Sequence, residues 1–540
     1  MLFSSKKIKL KSQFKISILT ALLVISILSI FINTQFMNEF PKLQIETTRF
    51  SSENIGPTDL LSISQFYLCQ ESAQISSDGT GGAIMVWDDD RGSDCDIYAQ
   101  RVNSTGDVQW AANGVAICTG DEGQYKPQIS SDGTGNAIIT WLDDRDAVDS
   151  YDWDIYAQRV DSTGDVQWMT NGVPICTVSG SKVEPQICSD STGGAIITWV
   201  DSRSTNSSIY GQSVNSSGDL QWAANGVPIS TGTGYMGTVQ ICSDGTDGVI
   251  ITWQEERNFG NRDIYAQRIN STGDVLWTTN GEAICVANGY QGFPQICRDG
   301  LNGAIITWRD QRLGPSHIYA QRINSSGKVQ WTANGEVISV ASDVQTDQQI
   351  CRDGFNGAYI TWHTWVFDAS EDSDIYAQRV NSSGNVKWTA NGVAICTASG
   401  RQIEPQISWG GSGNAIITWL DGRDGFFDIY AQCVNFTGDV KWSTNGVPIC
   451  TKSSSETEPR ICSDEANGAI ILWQDERYVE SSIYTQRINS IGEVQWSANG
   501  VAIRTFGEGS SGQVPGYNLL ILLGILSVVV ILMSKKINKS

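Results

Sequence analysis

Histidine is almost missing from this 540-residue chain, which has only His317 and His363. They fall in different repeat units, so zinc held by histidines and a Ser-His-Asp triad are both disfavoured. Basic side chains are scarce too: 36 Lys and Arg stand against 58 Asp and Glu, a formal net charge of -22. Residues 1–50 hold seven of the basic residues and two acids, and three lysines follow Met533, so the middle carries 26 basic and 56 acidic residues, about -30. That field repels phosphate backbones, and nucleic acid is excluded as a partner. No segment shows the twelve-residue ligand spacing of an EF-hand. No cofactor is therefore expected, with calcium on paired carboxylates such as Asp88, Asp89 and Asp90 as the one alternative.

Long apolar runs are confined to the two ends. Lys6, Lys7, Lys9, Lys11 and Lys15 precede the apolar run Ile16 to Ile32, so residues 1–33 read as a signal peptide or signal anchor. Near the other end, Leu519 to Met533 extends through Tyr517 to about 18 residues, the lower limit of a bilayer span. Lys535, Lys536 and Lys539 then mark residues 535–540 as a cytoplasmic tail. Residues 34–58 and 507–516 are linkers, and 59–506 are placed outside the cell, anchored to its membrane by the terminal hydrophobic segments.

What is abundant is tryptophan in a repeating pattern. Trp87, Trp141, Trp199, Trp253, Trp308, Trp362, Trp419 and Trp473 each close an apolar run such as AIITW, 54 to 58 residues apart. A second tryptophan follows each, from Trp110 to Trp496, with a DIYAQRV-like phrase between them. Eight such units of short strands and glycine-rich turns predict an all-β fold: an eight-bladed β-propeller of four-stranded blades, flanked by N- and C-terminal transmembrane segments. In residues 127–181, AIITW is a strand covered on both faces, DIYAQRV alternates, DSTGD is a hairpin turn and VQW reads as the fourth strand. Val-Pro-Ile-Cys then reads as a fifth, edge strand, the place where Pro174, Pro228 and Pro448 are tolerated. A ninth copy of that trailing segment, Leu61 to Ser64, competes with Val501–Arg504 to close the ring.

The DIYAQRV…SGxVxW…NG pattern resembles repeats in surface and secreted proteins of bacteria and archaea that look like propellers and mostly lack an assigned function. Pro515-Gly516-Tyr517, followed by an apolar span and a basic tail, resembles the Pro-Gly-Phe sorting signals of archaeal surface proteins. That resemblance implies removal of the span by an archaeosortase and its replacement by a lipid.

Because the units are copies, what recurs in all is architecture and what departs in one is a candidate for function. Trp-x-Asp/Glu-x-Arg recurs in seven units and reads as an ion pair clamping each loop. Unit six breaks it with Trp362-His363-Thr364-Trp365-Val366-Phe367, unit seven carries Phe426 and Phe427, and unit two has Tyr151 and Trp153 in its longest loop. Trp365, Phe367, Phe426, Phe427, Tyr151 and Trp153 are therefore the ligand-binding candidates, stacking aromatics beside acids on one rim. Sequons at Asn103, Asn215, Asn270, Asn324, Asn381 and Asn435 fall on the opposite rim, and Asn206 in another loop. All seven are acceptors for glycans, although Asn-Ser-Thr-Gly is equally plain turn chemistry. Cysteines Cys176/Cys188, Cys285/Cys297 and Cys450/Cys462 are the disulfide candidates, against a reading in which Cys and Ser share a small core position.

The main reading is a cell-surface, non-catalytic propeller that binds or adheres to a glycan or surface protein. One alternative is a structural envelope component without a discrete ligand. The other is an extracellular enzyme on a propeller scaffold, quinoprotein- or glycosidase-like. Gly106…Trp110 resembles the Gly-x-x-x-Trp docking motif of quinoprotein dehydrogenases, whose acid stands eight residues before the tryptophan, whereas Asn103 stands seven before.

Overall fold

The computed structural model describes residues 72–505, apart from 93, 146–151, 233, 259, 366–371 and 477–480. The predicted signal, linkers, span and tail lie outside the described residues, as do Leu61 to Ser64, Tyr151 and Phe367. Among the described residues, no helix is long and apolar enough to cross a membrane.

The described chain folds into 32 strands in eight four-stranded antiparallel sheets, each made of four consecutive strands. In blade one these are β1 (Gln74–Ser77), β2 (Ala83–Asp89), β3 (Asp96–Val102) and β4 (Val115–Cys118); in blade two, β5 (Gln124–Ser131), β6 (Ala137–Asp143), β7 (Asp154–Val160) and β8 (Val173–Cys176). The first strands of successive blades touch one another, including β1 with Glu456–Ser463 of blade eight, so they form the inner ring and the circle closes. This is the predicted eight-bladed propeller.

The order of burial follows the sequence. Every residue of β6 is buried because sheets cover it on both faces. The outermost strand, β8, buries only its Ile-Cys end. There Pro174 pairs with Tyr156 at an edge where its missing N–H leaves no ladder bond unmade.

One strand assignment is corrected. VQW makes only a single bridge, as in Val102 with Val108, and the trailing Val-x-Ile-Cys segment is the fourth strand rather than a fifth. The tryptophan of VQW has a different task. Trp110 donates its indole N–H to Ser162 O in the hairpin of the next blade (3.1 Å), and Trp168, Trp222, Trp277 and Trp331 repeat the bond at 2.8 to 3.1 Å. Trp496 donates to Ser104 O (3.2 Å), which joins blade eight to blade one as every other pair is joined. Val501–Arg504 is therefore the outer strand of blade eight, and among the described residues every blade is built from its own four consecutive strands. Arg504 adds a buried ion pair to Asp89 across that joint (2.7 Å).

Candidate functional site

The Trp-x-Asp-x-Arg phrase is a clamp. In blade two, Asp143 accepts from Trp141 Nε1 (2.8 Å) and from Arg145 Nε (2.7 Å), and Arg145 Nη2 also donates to Asn171 O (2.9 Å). The guanidinium lies 4.0 Å above the ring of Tyr156, which itself stacks on Trp141. The same seat is filled by Arg91, Arg203, Arg257, Arg312 and Arg423, at 3.5 to 4.1 Å over their tyrosines. One geometry repeated in unlike surroundings is architecture, as the sequence predicts.

The Asp88, Asp89 and Asp90 carboxylates do not converge on one ion. Successive strand residues face opposite sides. Asp89 is held by Trp87, Arg91 and Arg504, whereas Asp88 accepts backbone N–H groups from Ser72 (2.7 Å) and Lys126 (3.3 Å).

None of the six candidate cysteines is disulfide-bonded. Cys176 lies on the outermost strand of blade two and Cys188 on the innermost strand of blade three. Edges three strand spacings apart are separated by roughly 14 Å, about twice the Cα reach of a bridge. Cys285/Cys297 and Cys450/Cys462 repeat that placement. Burial pushes the Cys188 and Cys285 thiols up to about 12. Peptide mapping without reduction is expected to find all six as thiols, silent toward thiol reagents until the protein is unfolded. Cys95, by contrast, is disulfide-bonded.

The sequon asparagines serve the turn. Asn103 Oδ1 accepts from Thr105 N (3.0 Å), Thr105 Oγ1 (2.7 Å) and Asp107 N (2.9 Å). Asp161 and Asn489, which begin no sequon, make the equivalent backbone contacts in their own hairpins. The hairpin therefore accounts for this residue without a glycan.

The predicted aromatics divide. Trp153 packs against the blade-two core and Tyr125, with ring centroids 6.5 Å apart. Phe426 is exposed, while Phe427 is half-buried against the core of blades seven and eight. Trp365 and Phe427 are brought together through Arg401, whose guanidinium lies 5.1 Å from the first ring and 5.5 Å from the second. The hairpin rim is not free of aromatics either: exposed Phe355 and Phe436 meet edge to face at 4.9 Å there.

Two features were missed by the sequence reading. Seven inner strands carry a bulge with a non-glycine residue in the left-handed region: Lys126, Glu184, Thr238, Phe293, Asp347, Glu404 and Glu458, φ 49° to 55°. Facing them is the residue after each first tryptophan, which varies from unit to unit: Asp88, Leu142, Val200, Gln254, Arg309, His363, Leu420 and Gln474. Gln254 Oε1, for example, accepts from Phe293 N (3.1 Å). A bulge re-aims side chains, and here it gathers the variable residues of each unit around the mouth of the ring.

On blades four to seven these residues join into an arc of aromatics and arginines. Arg262 lies between Tyr235 (5.3 Å) and Tyr290 (5.4 Å), Tyr290 meets Phe293 at 6.4 Å, and Arg309 covers Phe293 at 4.6 Å. Beyond Arg309 come His363, Asp347 and then Arg401 with Trp365 and Phe427. His363 Nδ1 is 3.5 Å from Asp347 Oδ2, and neither ring nitrogen has a hydrogen-bond partner. Burial, with Arg309 and Arg401 nearby, pushes the His363 pKa down to about 4, so the imidazole is neutral at ordinary pH.

Carboxyls at this end of the blades shift the other way. Burial raises Asp88 to about 7 and Asp96, Asp144, Asp263, Asp374 and Asp428 to about 6. A carboxyl with a raised folded pKa contributes stability in full below its unfolded value, and loses it as pH rises through the folded one. His363 works in the opposite sense, contributing above its unfolded value and losing it as pH falls toward about 4. Burial lowers His317 as well, and six carboxyls outweigh the two histidines. The melting temperature is therefore expected to rise from about pH 8 to about pH 5, with Asp88→Asn flattening part of the slope.

No family model matches the chain, and no curated protein matches it. Among solved structures it is similar to a polysaccharide lyase of family PL25, an ulvan lyase bound to -[GlcA(1-4)Rha3S]-, at 10% identity and TM-score 0.45 over 81% of this chain and 94% of that one. It is similar to the polysaccharide lyase Uly1 at 9% identity and TM-score 0.42, over 83% of this chain and 94% of that one. A thermostable family-43 glycoside hydrolase is a third, at 12% identity and TM-score 0.29, over 51% of this chain and 98% of that one. All three are enzymes by name. The expectation that this chain is not an enzyme is corrected on that finding, although likeness at this level assigns it no reaction.

Proposed function

We propose that this protein engages a glycan along the arc of blades four to seven, on the face where the blade connections meet the second-third loops. The observation that carries the reading is the run of aromatics and arginines on one rim, in two groups: Tyr235, Arg262, Tyr290, Phe293 and Arg309, linked by cation–π contacts of 4.6 to 5.4 Å and one ring contact, then Arg401 and Trp365 at 5.1 Å. Aromatic faces stack on the apolar faces of sugar rings, and guanidiniums donate to hydroxyls and carboxylates. Such an arc follows an extended chain better than a single monosaccharide. Its arginines favour sugars with acidic groups at contact range, where the protein's distant negative charge is screened. With the terminal segments read as anchors, the glycan is one met outside the cell.

A second reading, that the glycan is cleaved, is favoured by His363. A neutral imidazole whose buried nitrogens have no hydrogen-bond partner, next to the half-exposed Asp347 carboxylate and between two arginines, suits proton transfer next to a neutralised acidic sugar once the site opens to admit it.

A glycan array with neutral and uronate-bearing polysaccharides tests both readings. Arg401→Ala with Trp365→Ala is expected to weaken binding roughly ten-fold or more, about 1 kcal/mol from each contact. Unchanged binding by a folded double variant would refute the site. Release of reducing ends or unsaturated uronates by the wild type, lost in His363→Ala, would establish cleavage.

A further inference from the structure

We propose that the hairpin rim of blades five to seven, opposite the rim that carries the aromatic arc, is a second binding site, for an anionic polysaccharide chain.

Three consecutive units depart from the repeat at the same turns. The last residue of the innermost strand is serine in five blades but Arg298, Arg352 and Trp409 in blades five, six and seven. The tip of the turn that follows is threonine in blades one to four, and Leu301 and Phe355 in blades five and six. In the hairpin after the third strand, Phe436 replaces a serine that the other seven units keep. Three residues further along that hairpin six units have an acid, whereas blade five has Lys328 and blade six Asn385. Two positions later Lys387 and Lys441 replace an uncharged residue. Apart from Asn385, each change puts a large apolar or basic side chain where the repeat has a small, neutral or acidic one.

Folding gains nothing from Leu301 and Phe355. Thr80 Oγ1 donates to Asp78 (2.8 Å) and Thr246 Oγ1 to Asp244 (2.7 Å), a bond that neither replacement can make. The turns survive on backbone donors: Leu301 N reaches Asp299 and Phe355 N reaches Asp353, both at 2.7 Å. The two side chains stand 54% and 59% exposed. Apolar tips side by side on one rim mark a surface that something covers. Their neighbours are held in place. Phe355 meets Phe436 across the joint of blades six and seven, Phe436 lies 3.3 Å from the Arg379 guanidinium, and Arg352 lies 4.7 Å from the Trp409 ring. Among the described residues, Arg298, Lys328, Arg352, Lys387 and Lys441 have no ion pair, whereas Arg322 and Arg379 behind them are paired with Asp299 and Asp353. Five unpaired cations therefore share three blades of a chain whose net charge is -22.

The partner must be anionic and narrow. Blades one to four present Asp107, Asp161, Asp165, Asp219, Asp247 and Asp274 on the same rim. A flat bilayer, or a second copy covering the rim, would meet those acids together with the cations. A chain can follow blades five to seven and leave the acids uncovered. The surface there is made of turns, not of a strand edge that a peptide could extend. Its aromatic rings suit the apolar faces of sugar rings, and its guanidinium and ammonium groups suit carboxylate or sulfate substituents. An anionic polysaccharide meets all of these conditions. The site does not rest on the arc of blades four to seven, although with both in use one molecule would bridge two glycan chains.

The test uses the full chain carrying Arg401→Ala with Trp365→Ala, so that failure of this site and failure of the arc are separate results. Immobilised polygalacturonate and dextran sulfate are the probes, with neutral dextran, polyglutamate and oligothymidylate for comparison. Saturable binding to an anionic polysaccharide is expected, weakening as salt is raised. A preference for polygalacturonate assigns carboxylate groups, and the reverse preference assigns sulfate. Arg352→Ser with Phe355→Thr gives blade six the residues of blades one to four. That variant should melt as its parent does and bind roughly ten-fold more weakly. Lys387→Gln, again the repeat's own residue, should weaken binding roughly three-fold and serves if the double replacement does not fold. The proposal is overturned if neither polymer binds, if neutral dextran, polyglutamate or oligothymidylate binds equally well, or if the folded variants bind like their parent.

Discussion

Replacing Asp143 with alanine is expected to destabilise the protein by roughly 3 kcal/mol, the scale for removing one partner of a buried, hydrogen-bonded ion pair. The carboxylate is fully buried and serves four donors: Trp141 Nε1, Arg145 Nε, Arg145 Nη2 and the Arg145 backbone N–H (3.1 Å). Its removal leaves the Trp141 N–H in an apolar setting, where an unmet donor costs about 1–3 kcal/mol. It also leaves Arg145, 19% exposed, with a carbonyl and a ring but no counter-charge. Asp143→Asn is the informative control, since it can still accept from the indole while losing the charge, and it should fall between the two. Thermal and denaturant melts measure both. A loss below about 0.5 kcal/mol for the alanine variant would place the clamp among the surface ion pairs of little worth. Blade six, which folds without an acid or arginine at these positions, implies that the clamp sets stability and leaves topology alone.

The blade count was legible because the repeat carries it: eight tryptophan pairs translate into eight sheets with matching registers. The fourth strand was misplaced because three residues, Val-Gln-Trp, read as strand in isolation. Trp110 is held across a blade joint rather than in a ladder, and a joint has no local sequence signature. The departures at Trp365 and Phe427 were legible as departures. Their pairing through Arg401 was not, because Arg401 lies in the connection to the next blade and is brought to Trp365 only by the ring. His363 was set aside for want of a second histidine, when the titratable group beside it is the acid Asp347 in the neighbouring strand. The left-handed bulge residues were the hardest to see. Glycine marks such a backbone elsewhere in this chain, yet the bulge holds Lys, Glu, Thr, Phe and Asp. A faint signal was present: in five of the seven the variable residue stands directly before a proline, at Pro127, Pro185, Pro294, Pro405 and Pro459.

Gly172→Ala is expected to cost about as much as the loss of the clamp carboxylate, roughly 3 kcal/mol, without removing a hydrogen bond. Gly172 ends the Asn-Gly turn with φ +86°, a backbone that costs an L-residue about 1–2 kcal/mol. A methyl group added there would stand 2.5 Å from Trp141 Cη2 and 2.9 Å from Ala157 O. The tryptophan cannot withdraw cheaply, because it is fully buried, pinned by Asp143 and stacked on Tyr156. Forcing it aside adds overpacking of about 1–3 kcal/mol and pulls on the clamp itself. Gly133→Ala separates the two contributions. Gly133 has nearly the same φ, +75°, with nothing within 4 Å of the added carbon, so it should lose only the backbone term of about 1 kcal/mol. Equal losses in the two variants, measured by thermal melts at matched pH, would mean that the tryptophan yields and the joint between turn and clamp is soft. A larger loss at Gly172 would show that the turn, the tryptophan and the arginine seat form one rigid unit.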